Sequence, residues 1–218
     1  MDTSTDSTRE QLLDAAEKMI LQHGLDDVSA RAILREAGQK NQSALQYHFG
    51  GREGLITSII ARRMQQVESR RSVLIEHELT EDNDPPLRTL CAVLVRAPFL
   101  LCREQKNFRE FLGQLGQRFL ASDRGSTFAV NESNLPSLQA IRELIWPHLA
   151  NVPPELLLLR AENANYLVLL TISRRARLGG SFRGRSAELF FNNLVDQVAA
   201  MLATPVSPET QSLLDAKH

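Results

Sequence analysis

Apolar side chains recur along this chain at the three- and four-residue spacing of helices, and glycines and prolines punctuate the pattern. The first stripe is Leu12, Leu13, Ala16, Met19 and Ile20, opened by the capping-box spacing of Ser7 and Glu10 and closed by Gly24. Met1 to Asp6 is left as a frayed tail, His23 reads as a helix-end packing residue, and Leu25 and Val28 pack beneath the helix end. A second helix opens at Ser29, a good N-cap, carries Ala32, Ile33 and Ala37, and stops at Gly38. Gln39 and Lys40 make a turn, and Asn41 is a second N-cap. Gln42 to Gln46 then reads as a small helix with one inward side chain, Leu45.

Gly50 and Gly51 break the pattern, and a long helix follows from Arg52 to about Leu79, with Leu55, Ile56, Ile59, Ile60, Met64, Val67 and Leu74 on its apolar side. Such a helix is close to 40 Å long at about 1.5 Å per residue, so it must join the small N-terminal head to something larger. Glu81 to Pro86 is an acidic loop. Helices over 87–102 and 107–121 come next, then a loop over 122–133 and a helix capped by Asn134 with Pro136 in its first turn and Pro147 near its end. Pro153-Pro154 opens a long helix to Leu178, and Gly179-Gly180 closes it. The last helix spans 186–202, and the tail from Pro205 is expected to be loosely ordered. The expected fold is therefore all-α, about nine helices, with an N-terminal head over 1–52 and a helical domain over 53–218. The two late helices are apolar over more than one face. That surplus implies either a deeper monomer core or pairing with a second copy across a two-fold axis.

Two short helices joined by a glycine-containing turn, the second polar outside, make a helix-turn-helix. Gln42, Ser43 and Gln46 carry groups that read base edges in the major groove, and Ala44 is a candidate for contact with a thymine methyl. Asn41, at the helix start, joins the same set. Ser29, Lys40, Tyr47, His48 and Arg52 are candidates for phosphate contacts, which position the helix without specifying sequence. Net charge is −1 and the pI about 6.5, which excludes a broadly basic nucleic-acid coat. Between Ser29 and Leu55, however, Arg31, Arg35, Lys40 and Arg52 stand against only Glu36 and Glu53. Positive charge is concentrated on the motif.

These residues carry a resemblance. From about Thr8 to Ile60 the chain resembles the N-terminal DNA-binding domain of the TetR family of bacterial transcriptional regulators. Gly24, Ser29, Ala37-Gly38, the triplet Tyr47-His48-Phe49, and Arg52 to Leu55 carry it. It covers roughly a quarter of the chain. Asn41 stands where the family starts its recognition helix, Gln39-Lys40 makes the turn one residue longer than usual, and Gly50-Gly51 replaces a frequent Pro-Ser. The resemblance implies a homodimer formed through the last two long helices, binding a palindromic double-stranded DNA operator and released by a small-molecule effector. It also implies backbone-contact roles for Tyr47, His48 and the basic residue after them. A helical protein-interaction module with a vestigial head is the alternative.

An effector would enter among the helices after Pro86, where few ionisable groups fall inside the pattern, so an apolar or aromatic molecule is expected. Cys91, Val95, Phe99, Cys102 and Phe111 are candidates to line its site, with Leu115, Phe119, Trp146, Asn165 and Tyr166 further along. Arg174, Arg175, Arg177, Arg183 and Arg185 cluster at a helix end and loop and read as a solvated face that suits the helix dipole. Two cysteines without CxxC spacing indicate neither a disulfide framework nor a zinc site. No cofactor is implied, and the chain carries none of the metalloprotease, serine-hydrolase or P-loop signatures of an enzyme. With no run of 18 apolar residues and no secretory leader pattern, a cytoplasmic protein is expected.

Overall fold

The computed structural model describes residues 3–25, 27–41, 43–79, 84–121 and 135–216, with side chains left out at 3–6 and 115–121. Among them it is all-α: α1 (Thr3–His23), α2 (Ala30–Glu36), α3 (Ala44–Phe49), α4 (Arg52–Glu78), α5 (Leu87–Glu104), α6 (Lys106–Ala121), α7 (Pro136–Ile145), α8 (Pro154–Arg177), α9 (Arg185–Ala203) and α10 (Pro208–Asp215). A 3-10 turn, Trp146–Leu149, follows α7. Three elements differ from those the pattern predicts. The small helix is Ala44–Phe49 with Ser43 at its N-cap, and not Gln42 to Gln46 capped by Asn41. α1 begins at Thr3, a turn ahead of the Ser7 cap, and Ser7 sits inside the helix, where its hydroxyl accepts from the Gln11 amide. The tail is not structureless either: Ser207 caps α10 by accepting from the Thr210 N–H at 3.3 Å, behind the stop made by Pro205. The expected tail at Met1 and Asp2, the acidic loop from Glu81 to Asn83, the 122–133 loop and the Asn134 cap lie outside the described residues.

The first three helices close over Leu12, Leu13, Ala16, Ile20, Ile33, Leu45, Leu55 and Ile59, all nearly inaccessible to solvent. α4 forms the floor of this head and then runs on beneath α5 and α7. α5 is the central element of the larger domain. Its Leu90, Cys91, Val93, Val95, Ala97 and Cys102 are fully enclosed between α4, α6, α8 and α9. α6 lies against α8 at backbone range: a Cβ on Gly113 would stand 3.1 Å from the Arg177 nitrogen.

The long apolar face of α4 also buries charge. Glu68 is 2% exposed and Arg71 8%. The Glu68 carboxylate accepts from Arg71 at 3.0 Å and from the backbone N–H of Ser137, in the first turn of α7. Arg71 also donates to the Ser137 hydroxyl at 3.3 Å, and that hydroxyl donates to the Glu68 carbonyl at 3.2 Å. A carboxylate thus caps α7 from a neighbouring helix, favourable at a helix N-terminus where backbone donors lack partners. Burial pushes the Arg71 guanidinium down to about 10, while Glu68 beside it works in the opposite direction. Nearer the head, Arg63 pairs with Glu17 of α1 at 2.6 Å and lies over the Phe111 ring of α6, its guanidinium carbon 5.5 Å from the centroid.

Breaking a buried pair strands its partner, whereas removing both ions is far less damaging. Glu68→Leu is expected to lower unfolding stability by about 3–5 kcal/mol, and Glu68→Leu/Arg71→Met to recover most of that deficit. Urea denaturation of the three proteins checks both.

Candidate nucleic-acid interface

Local hydrogen bonds set the motif. The Ser29 hydroxyl accepts from the Ala32 N–H at 3.2 Å and starts α2. Gly38, at φ +66°, ends it: its own N–H reaches Arg35 and the Gln39 N–H reaches Leu34, the paired closure of a left-handed helix stop. The Gln39 amide donates to Gln11 at 3.1 Å, tying the turn to α1. Asn41 then acts through its side chain, its Oδ1 accepting from the Ser43 N–H at 3.0 Å and the Ser43 hydroxyl at 2.7 Å. Helical backbone begins at Ala44. Gln42 lies outside the described residues.

The small helix is two-sided. Ala44 and Leu45 are 6% and 4% exposed, against the core. Ser43 and Gln46 are exposed, and Tyr47 is 78% exposed. These three positions share one face at three- and four-residue spacing. His48 is half-buried, edge-on to the Tyr47 ring at 5.0 Å, and the Arg9 guanidinium covers Phe49 at 5.3 Å. Ser29, Lys40 and Asn41 are open to solvent. Two expectations need correction. Ala44 packs inward with Leu45, because the first turn of this short helix is seated on the core, so it offers no methyl to a base. Arg52 is committed: its Nε donates to the Val28 carbonyl at 3.0 Å and a terminal nitrogen to the Leu25 carbonyl at 2.5 Å, while its other nitrogen pairs with Glu53 at 3.3 Å. It clamps the start of α4 to the loop between α1 and α2 and is a positioning residue.

Gly54 lies in the Arg52 to Leu55 stretch that carries the resemblance, but its role is steric and the site depends on it. A Cβ there would stand 1.7 Å from the Phe49 carbonyl oxygen, so α3 ends directly on the first turn of α4. Gly50 and Gly51, at φ +67° and +117°, supply the turn that makes this approach possible. The sequence signal of this role is that Gly54 is a glycine inside a helix where alanine is intrinsically better.

The second candidate set is scattered. Cys91, Val95 and Cys102 are wholly enclosed, and Phe99 and Phe111 nearly so. Phe99 stacks among Phe182, Phe190 and Phe191, joining α5 to α9. Burial pushes both thiols up to about 12, so they are packing groups. Trp146 is partly buried, Asn165 is half-buried, and Tyr166 is 37% exposed on α8, turned out of the core. The side chains of Leu115 and Phe119 lie outside the described residues. Of the candidates, Phe99 belongs to a packed aromatic joint, and burial alone does not separate packing from cavity lining, because both select the same residue types.

Residues 12–59 match the model of the bacterial regulatory proteins of the tetR family. No curated protein matches the chain. Among solved structures, one from Shewanella sp. PV-4, assigned as a tetR family transcription regulator, is similar at 16% identity with a TM-score of 0.60, covering 88% of this chain and 95% of that one. NalD of Pseudomonas aeruginosa, the secondary repressor of the MexAB-OprM multidrug efflux pump, matches at 21% identity and a TM-score of 0.55, over 90% of this chain and 96% of that one. The fatty acid degradation regulator FadR of Bacillus halodurans matches at 15% and 0.56, over 90% and 95%. The likeness in fold extends over nearly the whole of these regulators, and the match to the tetR family model is confined to residues 12–59.

With no room for a methyl group, Gly54→Ala is expected to force α3 and α4 apart and lower stability by about 1–3 kcal/mol. Thermal unfolding checks this against Ser43→Ala, an exposed change at the start of α3 expected to stay within about 0.5 kcal/mol.

Proposed function

We propose that this protein is a ligand-responsive, dimeric transcriptional repressor that binds a palindromic DNA operator through α3. The observation that carries the reading is the division of that helix: Ala44 and Leu45 anchor it, leaving Ser43, Gln46 and Tyr47 facing outward on one side. An isolated helix of this size is marginal, so the side facing outward is set by packing and not by propensity. Gln46 and Ser43 are the proposed base-edge contacts, with Gln42 as a sequence-based addition. Ser29, Lys40, Tyr47 and His48 are the proposed phosphate contacts, and Asn41 orients the helix start.

A single head covers little DNA, so the reading requires two. The outer side of α8 exposes Leu158 at 60%, Leu159 at 52% and Tyr166 at 37%, and Leu189 of α9 is 71% exposed. Apolar side chains on the outer side of two adjacent long helices support a two-fold four-helix interface there. The heads over 1–52 would then be held apart by the bodies over 53–218, and an effector in the body would act through α4 by favouring one separation. Among the described residues no helix is long and apolar enough to cross a membrane, in keeping with the cytoplasmic setting this function needs.

The test is a mobility shift on the gene's own upstream region. Wild type is expected to bind a palindrome with strong salt dependence. Gln46→Ala/Tyr47→Ala should abolish the shift at matched protein concentration, and Lys40→Ala should reduce the salt slope by about one for the phosphate it no longer neutralises. Binding unchanged by the double substitution would contradict the assignment and favour an interaction module with a vestigial head. Light scattering tests the pairing: a dimer is expected, and Leu158→Glu/Tyr166→Glu should give a helical monomer.

A further inference from the structure

A cleft of about 290 Å³ opens where the α5–α6 junction meets the loop between α8 and α9. Arg103, Arg109 and Arg183 line it, over Ala176, Phe182 and the backbone of Gly179 to Ser181. Its lining contains no carboxylate. That volume lies near the lower end of small-molecule sites, about 300–1,000 Å³.

Three guanidiniums on one concave surface repel one another unless something answers their charge. The nearest acid to Arg103 is Glu104, at 3.8 Å, and that carboxylate is already paired with Arg70 of α4. Arg109 gives one nitrogen to the Cys102 carbonyl at 3.1 Å and has donors to spare. The Arg183 side chain makes no hydrogen bond or ion pair among the described residues, although its backbone is fixed: its N–H donates to the Ser181 hydroxyl at 3.0 Å, and that hydroxyl donates back to the Arg183 carbonyl at 2.9 Å. Arg175, by contrast, is consumed. Both its Nε and a terminal nitrogen reach the Ser181 carbonyl, and its guanidinium lies 4.4 Å from the Phe190 ring centroid. Within the run of arginines, therefore, Arg175 ties down the loop and Arg183 meets Arg103 and Arg109 across the cleft.

We propose that this cleft binds a small anion bearing a carboxylate or a phosphate, held by Arg103, Arg109 and Arg183 above the Phe182 ring. Arginine's planar fork matches both groups in pairs of parallel hydrogen bonds, and Phe182 offers an apolar floor to whatever carries the charge. The site is distinct from the α3 surface, and its test needs no DNA.

Full-length protein is titrated calorimetrically at low chloride with inorganic phosphate and, separately, with benzoate. Saturable binding of at least one is expected. Phosphate alone would assign a phosphoryl ligand, benzoate alone a carboxylate, and both an anion selected by charge. Arg103→Gln/Arg183→Gln should weaken binding about a hundredfold, near tenfold for each charge-assisted bond removed. Arg185→Gln, beside the cleft and not in it, should leave binding unchanged. Arg183→Gln alone, which removes no interaction holding the fold, should still weaken binding about tenfold. Absence of binding by both anions would overturn the proposal. So would equal weakening by Arg185→Gln, which would mark diffuse surface charge.

Discussion

The contact on which the remainder depends is the seating of α3 on the first turn of α4. The Phe49 carbonyl meets Gly54 with no room for a Cβ, and Arg52 draws the same turn onto the Leu25 and Val28 carbonyls. Because a packed interior admits few alternatives, this contact fixes the roll of a helix too short to fix its own. Ala44 and Leu45 then have to face inward, and Gln46 and Tyr47 outward. The orientation of the polar face is thus a consequence of a steric vacancy several residues away.

The second constraint is that α4 is continuous. Its 27 residues span about 40 Å, so one rod is packed into the head at one end and beneath α5 and α7 at the other. Its inner side is not purely apolar. Arg63 answers Glu17 of the head and lies over Phe111 of the body, and Glu68 with Arg71 holds the start of α7. Burial raises the Glu17 carboxyl above its ordinary value while Arg63 and Arg62 oppose the shift. Buried ion pairs contribute little net stability, yet they punish a misaligned partner severely. The proposed effector response rests on a rod fastened in this way carrying a shift at α7 or α6 to the head.

How far the residues alone could be read follows from this. Ser29 and Gly38 were legible because each acts on backbone within three residues of itself, whereas Asn41, read as a helix cap, instead makes the turn that leads to the cap at Ser43. The inward stripe of α4 was legible for the same local reason. The partner of a buried charge was not: Glu68 meets Ser137, 69 positions away, and periodicity reports that a position is inward without saying what it meets. Arg63 and Arg71 do fall at helical spacing with Ile60, Val67 and Leu74, so the pattern held a hint that charge type concealed. Gly54 stands in the stretch that carries the resemblance, but its role was invisible because a steric vacancy leaves no side chain to read. The aromatic candidates in the body read ambiguously for the opposite reason, since Phe99 with Phe182, Phe190 and Phe191 makes a packed joint from residues that would equally line a pocket.

The central claim is that the outward face of α3 is presented twice, by two copies related by symmetry, at a spacing that DNA can accept. Hydroxyl-radical footprinting of the full-length protein on its own upstream region measures that spacing directly. The account predicts two equivalent protected patches on one face of the duplex, about 34–36 Å or a multiple of this apart. A single patch, or two whose separation places them on opposite faces, would contradict it.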